Sequence, residues 1–384
     1  MISVLVVDDT ILYRKLVSDI IGGIPGVRVV GTASNGKIAL SRIALLKPDL
    51  VTLDVEMPEM NGIEVLEAVK NAKLGTSFLM VSALTPRGAE LSLRAIELGA
   101  MDVIAKPDGV AVGRDEFAVE LKDRIAAFAR KGEIRKILTR HESTGPGQPG
   151  QAEAGHAVAG KSAADQVVQA QGKSSIPVQR QSPVSRPQDG RSCEIVAIGI
   201  STGGPAALLQ LIPDLPADLG IPVLVVQHMP PLFTASLANS LQTRGKLPVK
   251  EGENGETLKP GVVYLAPGGK HMRVDLGADA MTKILRVTDD PPENHCRPSV
   301  DYLFRSVARQ YYGRALALVM TGMGDDGARG AGDIRKAGGE VLVQDEGSSV
   351  VWGMPGATVA LGNADAVFPL GKLASEITTR ARRP

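Results

Sequence analysis

Two sets of residues in this chain have the types and the spacing to do chemistry. In the first, short apolar runs each end on a polar residue. "VLVV" leads into Asp8 and Asp9, "LVTL" into Asp54, "FLMV" into Ser82 and "DVIA" into Lys106. In an open parallel sheet, ligands bind beyond the carboxyl ends of the strands, so these side chains are expected to meet at one edge. Three carboxylates gathered there repel one another unless a cation sits among them. An all-oxygen donor set suits Mg²⁺, which keeps waters and takes a phosphate oxygen. A carboxylate can also attack phosphorus and form an aspartyl phosphate, with the metal and Lys106 neutralising charge. Taken alone, Asp8 and Asp9 fit helix capping ahead of Ile11 equally well. Asp54, Ser82 and "KP" following in matching order favour phosphoryl chemistry.

The second set begins at "GISTGGP", residues 199–205. The spacing of Gly199, Gly203 and Gly204 fits neither glycine-rich phosphate-binding pattern, and no lysine follows. It does fit G-x-S-x-G on a strand–turn–helix frame. Pro205 suits the first helical turn, and Ser201 would face backbone N–H groups able to hold an oxyanion. A purely structural glycine turn reads the same way. A serine nucleophile needs a base. Of five histidines, His141 and His156 lie in a low-complexity stretch, and His271 and His295 lie in loops. His228 closes "IPVLVVQH", at the sheet edge where the first strand ends at Ser201. An orienting acid is available in "ALALVMTGMGDDGARGA", which carries Asp325 and Asp326; a helix cap is the other reading of that pair.

The elements that must position these residues alternate. Through residue 131, strand-like runs ("ISVLVV", "VRVVGTA", "DLVTLD", "SFLMVSA", "MDVIAK") interleave with segments of helical spacing. That alternation predicts an α/β domain with a doubly wound parallel sheet. Residues 132–191 turn rich in Gln, Ser, Gly, Pro and Ala, with few large apolar side chains to offset ordering entropy, and read as a disordered linker. From 192 to 384 a second α/β pattern follows, with "CEIVAIGI", "IPVLVVQH", "GVVYLAP", "ALALVMTG" and "GEVLVQD" as strands.

Bulk properties narrow the function. The 43 basic residues against 42 acidic leave no global charge to recruit nucleic acid or an anionic membrane, and 3% aromatics argue against base stacking. Two cysteines make no disulfide framework. The N-terminus lacks a signal-peptide pattern, and no window is long and apolar enough for a membrane span. The expectation is a cytoplasmic protein with neither nucleic-acid binding nor membrane insertion.

"VDD", "LDVEMPEMNG", "VSAL" and "AKP" in that order resemble the response-regulator receiver domain, a flavodoxin-like fold. The resemblance implies Asp54 as phospho-acceptor and Mg²⁺ on Asp9, Asp54 and the carbonyl of Glu56, with Asp8 acting through water. Ser82 would bind the phosphoryl group and Lys106 would pair with it. Many receivers carry an aromatic residue three positions before that lysine; Val103 stands there, so no aromatic switch is available.

The turn at Ser201, "QHMPPLFTASLA", "CRPSVD" and "TGMGDDGARG" resemble the catalytic domain of the chemotaxis protein-glutamate methylesterase family. The chain order Ser, His, Asp is not that of the α/β-hydrolases. The resemblance implies Ser201 as nucleophile, His228 as general base and then acid, and Asp326 fixing the imidazole tautomer. Thr202 would help position the histidine, and the N–H of Met323 would line the oxyanion hole. Where many relatives have Asn, Asp325 precedes the catalytic aspartate and could raise its neighbour's pKa. The implied activity is hydrolysis of glutamate γ-methyl esters on chemoreceptors, with deamidation of receptor glutamines by the same acyl chemistry and no cofactor for the ester reaction. The implied partners are methyl-accepting chemoreceptors as substrate and a chemotaxis histidine kinase as phosphodonor, with an unphosphorylated receiver covering the active site. The rival reading is a phospho-regulated binding module without hydrolytic activity. A DNA-binding output fits less well, because no basic recognition helix is present.

Overall fold

The computed structural model describes residues 1–107, 113–142 and 192–382. Near-continuous runs of Val, Ile and Leu form most strands of the parallel sheets, the central ones buried on both faces. In the first half these are β1 (Ile2–Val7), β2 (Val27–Ala33), β3 (Leu50–Asp54), β4 (Ser77–Ser82) and β5 (Asp102–Ala105). The helices between them are α1 (Ile11–Gly22), α2 (Gly36–Leu46), α3 (Gly62–Asn71) and α4 (Pro86–Leu98), with α5 (Arg114–Glu142) last. Strand order β2-β1-β3-β4-β5, all parallel, puts the reversal of winding between β1 and β3. Local chemistry sets the helix starts. Asn61 and Glu64 form a capping box on α3, and Thr85 caps α4 ahead of Pro86.

The helix α5 continues past the domain boundary expected at 131; the remainder of the expected linker, 143–191, lies outside the described residues.

The second half contains β6 (Ile195–Ile200), α6 (Gly204–Asp214), β7 (Val223–Gln227), α7 (Phe233–Arg244), β8 (Val249–Glu251) and β9 (Val263–Leu265). A hairpin follows, β10 (His271–Leu276) with β11 (Lys283–Thr288), then α8 (Val300–Tyr311) and β12 (Ala315–Val319). The chain closes with α9 (Ala328–Lys336), β13 (Glu340–Gln344), α10 (Gly353–Ala360), β14 (Ala366–Phe368) and α11 (Leu370–Ala381). Seven parallel strands run in the order β14-β13-β12-β6-β7-β9-β8, so winding reverses between β6 and β12. The five strands expected here are β6, β7, β9, β12 and β13. The short edge strands β8 and β14 and the antiparallel hairpin were not anticipated.

The halves pack on each other. Helix α4 lies against α6 and α7, and β5 approaches α6. Leu93, Ile96 and Val103 share one apolar cluster with Leu208, Phe233 and Leu237. Val103, where an aromatic switch was missing, is buried close to this junction.

Candidate active site and acidic cluster

The reversal between β1 and β3 opens the crevice that receives Asp8, Asp9 and Asp54. One carboxylate oxygen from each lies within 4.8 Å of the others. Asp8 and Asp54 are buried and Asp9 is exposed. Lys106 bridges the two buried acids, with Nζ 2.7 Å from Asp8 and 2.6 Å from Asp54. Burial pushes the Asp54 carboxyl up, Lys106 opposes it, and the balance stands at about 6. Burial pulls Lys106 down, but Asp54 and Asp8 outweigh it and raise it. A carboxylate set this poorly neutralised and built only of oxygens fits Mg²⁺. Capping does not account for the acids. The N-cap of α1 is Thr10, and Asp8 instead accepts the Thr10 amide (2.9 Å) and hydroxyl (2.7 Å).

Glu56 is exposed, its carboxylate 3.4 Å from Arg87 Nε. Ser82 is fully buried and its hydroxyl donates to the carbonyl of Gly88 in α4 at 3.3 Å, not to Asp54.

At the second switch point the register aligns Ile200 with Gln227, so Ser201 and His228 follow side by side. The ladder continues past the strand ends: the His228 amide donates to Ile200 and the Ser201 amide to Thr321. The turn after Ser201 needs its glycines. Gly203 has φ +75°, and a Cβ there would stand 2.5 Å from Val350. A Cβ on Gly204 would stand 1.9 Å from Gln227 Oε1. Pro205 occupies the first turn of α6, as expected. Ser201 and Thr202 are buried. Gly322, one residue before Met323, packs against Ser201: a Cβ on it would lie 2.9 Å from Ser201 Cβ.

His228 Nε2 lies 2.9 Å from Asp326 Oδ2. Asp326 is saturated with donors: Ser299 Oγ (2.9 Å), Val300 N (2.7 Å), Asp301 N (3.0 Å) and Asn294 Nδ2 (3.0 Å). Two of these are the first amides of α8, so Asp326 sits at a helix N-terminus. Burial alone would raise its pKa; His228 and the two amides overcome that and hold it at about 2. The expectation that Asp325 could raise this value is not met, and Asp325 faces solvent. Burial lowers His228, but hydrogen bonds to Asp326 and Cys296 outweigh it and push it up to about 10.

The structure thus brings His228 and Asp326 into contact and sets Ser201 on the neighbouring strand end. Among the described residues, no hydrogen bond joins the Ser201 hydroxyl to His228. Nδ1 of the imidazole lies 3.7 Å from Cys296 Sγ instead.

The receiver-like half reaches this turn. Asp102, at the start of β5, accepts the amide of Gly203 at 3.0 Å and is ion-paired with buried Arg124. At the far end of α4, Glu97 accepts Ser240 Oγ (2.8 Å) and pairs with Arg244 (2.8 Å), both on α7.

Sequence reasoning missed several residues. Gln227 donates to the carbonyls of Ser201 (3.0 Å) and His228 (3.2 Å), tying the two together from beneath. Its place as the last strand residue before His228 was the available signal. Ser299 and Asn294 were also missed, although "SVD" reads as an N-cap. His271, set aside as a loop residue, begins β10; its Nδ1 accepts the Ser299 amide at 3.2 Å and its ring stacks on Tyr302.

Comparison with known proteins matches one family to each half. Residues 4–113 match the response regulator receiver domain and residues 196–377 the CheB methylesterase domain. Three relatives carry the name protein-glutamate methylesterase/protein-glutamine glutaminase. One from Desulfotalea psychrophila is 44% identical over 98% of this chain and 97% of its own. One from Trichodesmium erythraeum is 40% identical over 98% of each. One from a Nocardioides species is 43% identical over 100% of this chain and 96% of its own. Two domains of matching kind, in matching order and at this identity across nearly the whole length, place the chain in the protein-glutamate methylesterase/protein-glutamine glutaminase family of response regulators.

Proposed function

We propose that the protein is a phosphorylation-released hydrolase of glutamate γ-methyl esters and selected glutamine side chains on chemoreceptors. The observation that carries this reading is the delivery of Ser201, His228 and Asp326 to one switch point, with the His228–Asp326 hydrogen bond at 2.9 Å.

In this reading the Ser201 hydroxyl attacks the γ-carbonyl carbon of the ester while its proton passes to the imidazole. With Nε2 held by Asp326, Nδ1 is the nitrogen that serves the serine, and it must leave Cys296 to do so. Asp326 then stabilises the imidazolium and fixes its orientation. The tetrahedral oxyanion would be held by the Met323 amide and those at the start of α6. Collapse expels methanol, which takes the imidazolium proton, and leaves an acyl-serine. Water, deprotonated by His228, releases the glutamate. A glutamine follows the same path with ammonia leaving. Thr202 would position the imidazole.

Control would come from Asp54. Bound Mg²⁺ on Asp9, Asp54 and the Glu56 carbonyl, with Asp8 acting through water, would offset negative charge during phosphoryl transfer. Lys106 would move from bridging Asp8 and Asp54 to pairing with the phosphoryl group. Ser82 would turn toward it and release the Gly88 carbonyl, loosening the first turn of α4. That helix carries Glu97 at its other end, on α7. The docked state would be off because the Asp102 carboxylate takes the Gly203 amide at the nucleophile turn, where an anionic intermediate would need donors.

The test is methanol release from methylated receptor by the full chain, alongside labelling with a serine-directed fluorophosphonate. Hydrolysis and labelling that both require Ser201 and His228 support the hydrolase. A folded protein that neither hydrolyses nor labels supports a binding module.

A further inference from the structure

We propose that His228 and Cys296 form a binding site for a soft divalent cation, Zn²⁺ by its chemistry, which takes the imidazole nitrogen needed for ester hydrolysis. The inhibitory part rests on the reading of His228 as the base; the binding part does not.

The spacing is that of two ligands of one ion. Zn²⁺ binds imidazole nitrogen at about 2.0 Å and thiolate at about 2.3 Å, so a tetrahedral angle puts the two donors about 3.5 Å apart. His228 Nδ1 and Cys296 Sγ stand 3.7 Å apart. The remaining ring nitrogen is already held by Asp326 at 2.9 Å. A carboxylate on the far nitrogen is the usual support of a zinc-bound histidine, fixing the tautomer and raising ligand basicity. Ligand atoms of His228, Cys296 and Asp326 lie within 4.8 Å of one another, with Asp326 left as the outer support of the imidazole.

The cysteine is held in place by a tight turn. Glu293 and Cys296 exchange backbone hydrogen bonds (3.1 and 2.9 Å), and the two residues between them, Asn294 and His295, have φ of 52° and 61°. This is the pattern of a two-residue hairpin turn, in a conformation that non-glycine residues seldom adopt. The same turn lays the Asn294 amide on Asp326. Both His228 and Cys296 are partly exposed, so an ion can enter from solvent, and water can complete the coordination. The thiol and the imidazole Nδ1 must each give up a proton on binding, and the solvent accepts both. Cys193 makes an internal control: it hydrogen-bonds the Ile195 carbonyl, and burial pushes its thiol up to about 11.

The experiment is titration of the reduced, metal-free full chain with Co²⁺, followed by the thiolate-to-cobalt charge-transfer band, then displacement by Zn²⁺. One equivalent should generate the band and Zn²⁺ should bleach it. Cys296→Ser and Cys296→Ala should each abolish it, with unchanged circular dichroism, and Cys193→Ser should keep it. His228→Ala should weaken binding by about tenfold or more. Saturating Zn²⁺ should suppress methanol release at least about tenfold and a chelator should restore it. Absence of the band, or a band that survives both Cys296 variants, overturns the site. A Cys296-dependent band with hydrolysis unchanged at saturation overturns the claim that the ion takes the base nitrogen. Metal-free enzyme that hydrolyses nothing counts against the esterase reading, and the absorbance then still decides the site.

Discussion

Asp102 of the receiver and Gly203 of the catalytic domain share a buried hydrogen bond of 3.0 Å, two residues beyond Ser201. Arg124, also buried, is ion-paired with the same carboxylate. A carboxylate facing the first amides of a helix is favourable on charge grounds. Here it joins one domain to a backbone donor of the other that lies beside the proposed nucleophile, Ser201.

If this contact holds the docked state, weakening it should free the enzyme. Charge-assisted hydrogen bonds contribute about 1.5–3 kcal/mol. Asp102→Asn, which keeps the shape and removes the charge, should raise basal methanol release by roughly tenfold and shrink the further gain from phosphorylation. Arg244→Ala breaks only the more exposed pair with Glu97 and should raise it by less than about fivefold. Equal basal rates in wild type and Asp102→Asn would show that the contact does not restrain the enzyme.

If Ser201 and His228 act as proposed, Ser201→Ala and His228→Ala should each lower methanol release by at least about a thousandfold, because such groups act as a unit. Asp326→Asn should cost a similar factor by favouring the wrong tautomer. Retention of more than about a tenth of the rate in Ser201→Ala would move the nucleophile elsewhere.

The pH profile follows from His228. Burial lowers its pKa, yet hydrogen bonds to Asp326 and Cys296 prevail and raise it to about 10. The base form is needed, so kcat/KM should climb as pH rises past 6.5 and continue into the alkaline range. An acid limb with its midpoint below 6.5 would contradict the upward shift.

Much of this was legible beforehand, for identifiable reasons. Asp8, Asp54, Ser201 and His228 each end a run of apolar residues, and such runs become parallel strands whose carboxyl ends share an edge. Local rules therefore fixed their neighbourhood. Contacts made across the fold were not legible. Asp102 opens a strand like any other, and nothing within its own segment says that Gly203, far along the chain, will meet it. The hairpin β10–β11 was missed although "HMRVDL" alternates partly, because its partner strand "KILRVT" lies beyond a Gly- and Ala-rich turn. Cys296 sits in a loop whose left-handed residues are Asn and His rather than glycine, so no turn signal marked it.

Asp54 gives a stability prediction. Its pKa is raised by burial, so the folded state favours the protonated form. The penalty is absent below the unfolded value of 3.8, grows as pH rises to about 6 and is complete above it. That rise is worth on the order of 3 kcal/mol at most. Asp54→Asn should therefore raise the melting temperature of the receiver transition in Mg²⁺-free protein at pH 7, with the gain vanishing near pH 3.5. Added Mg²⁺ should stabilise the wild type more than the variant. A variant that melts lower than wild type at pH 7 would mean that the Lys106 contact outweighs burial.

Phosphorylation of Asp54 should release a serine hydrolase. The deciding measurement is the rate of methanol release from methylated receptor by the full chain, with and without acetyl phosphate and Mg²⁺, in wild type and Asp54→Asn. The wild-type rate should rise at least about tenfold with the phosphodonor. Asp54→Asn should keep a measurable basal rate that the phosphodonor leaves unchanged. A wild-type rate indifferent to phosphodonor, or an equal rise in Asp54→Asn, would contradict that release.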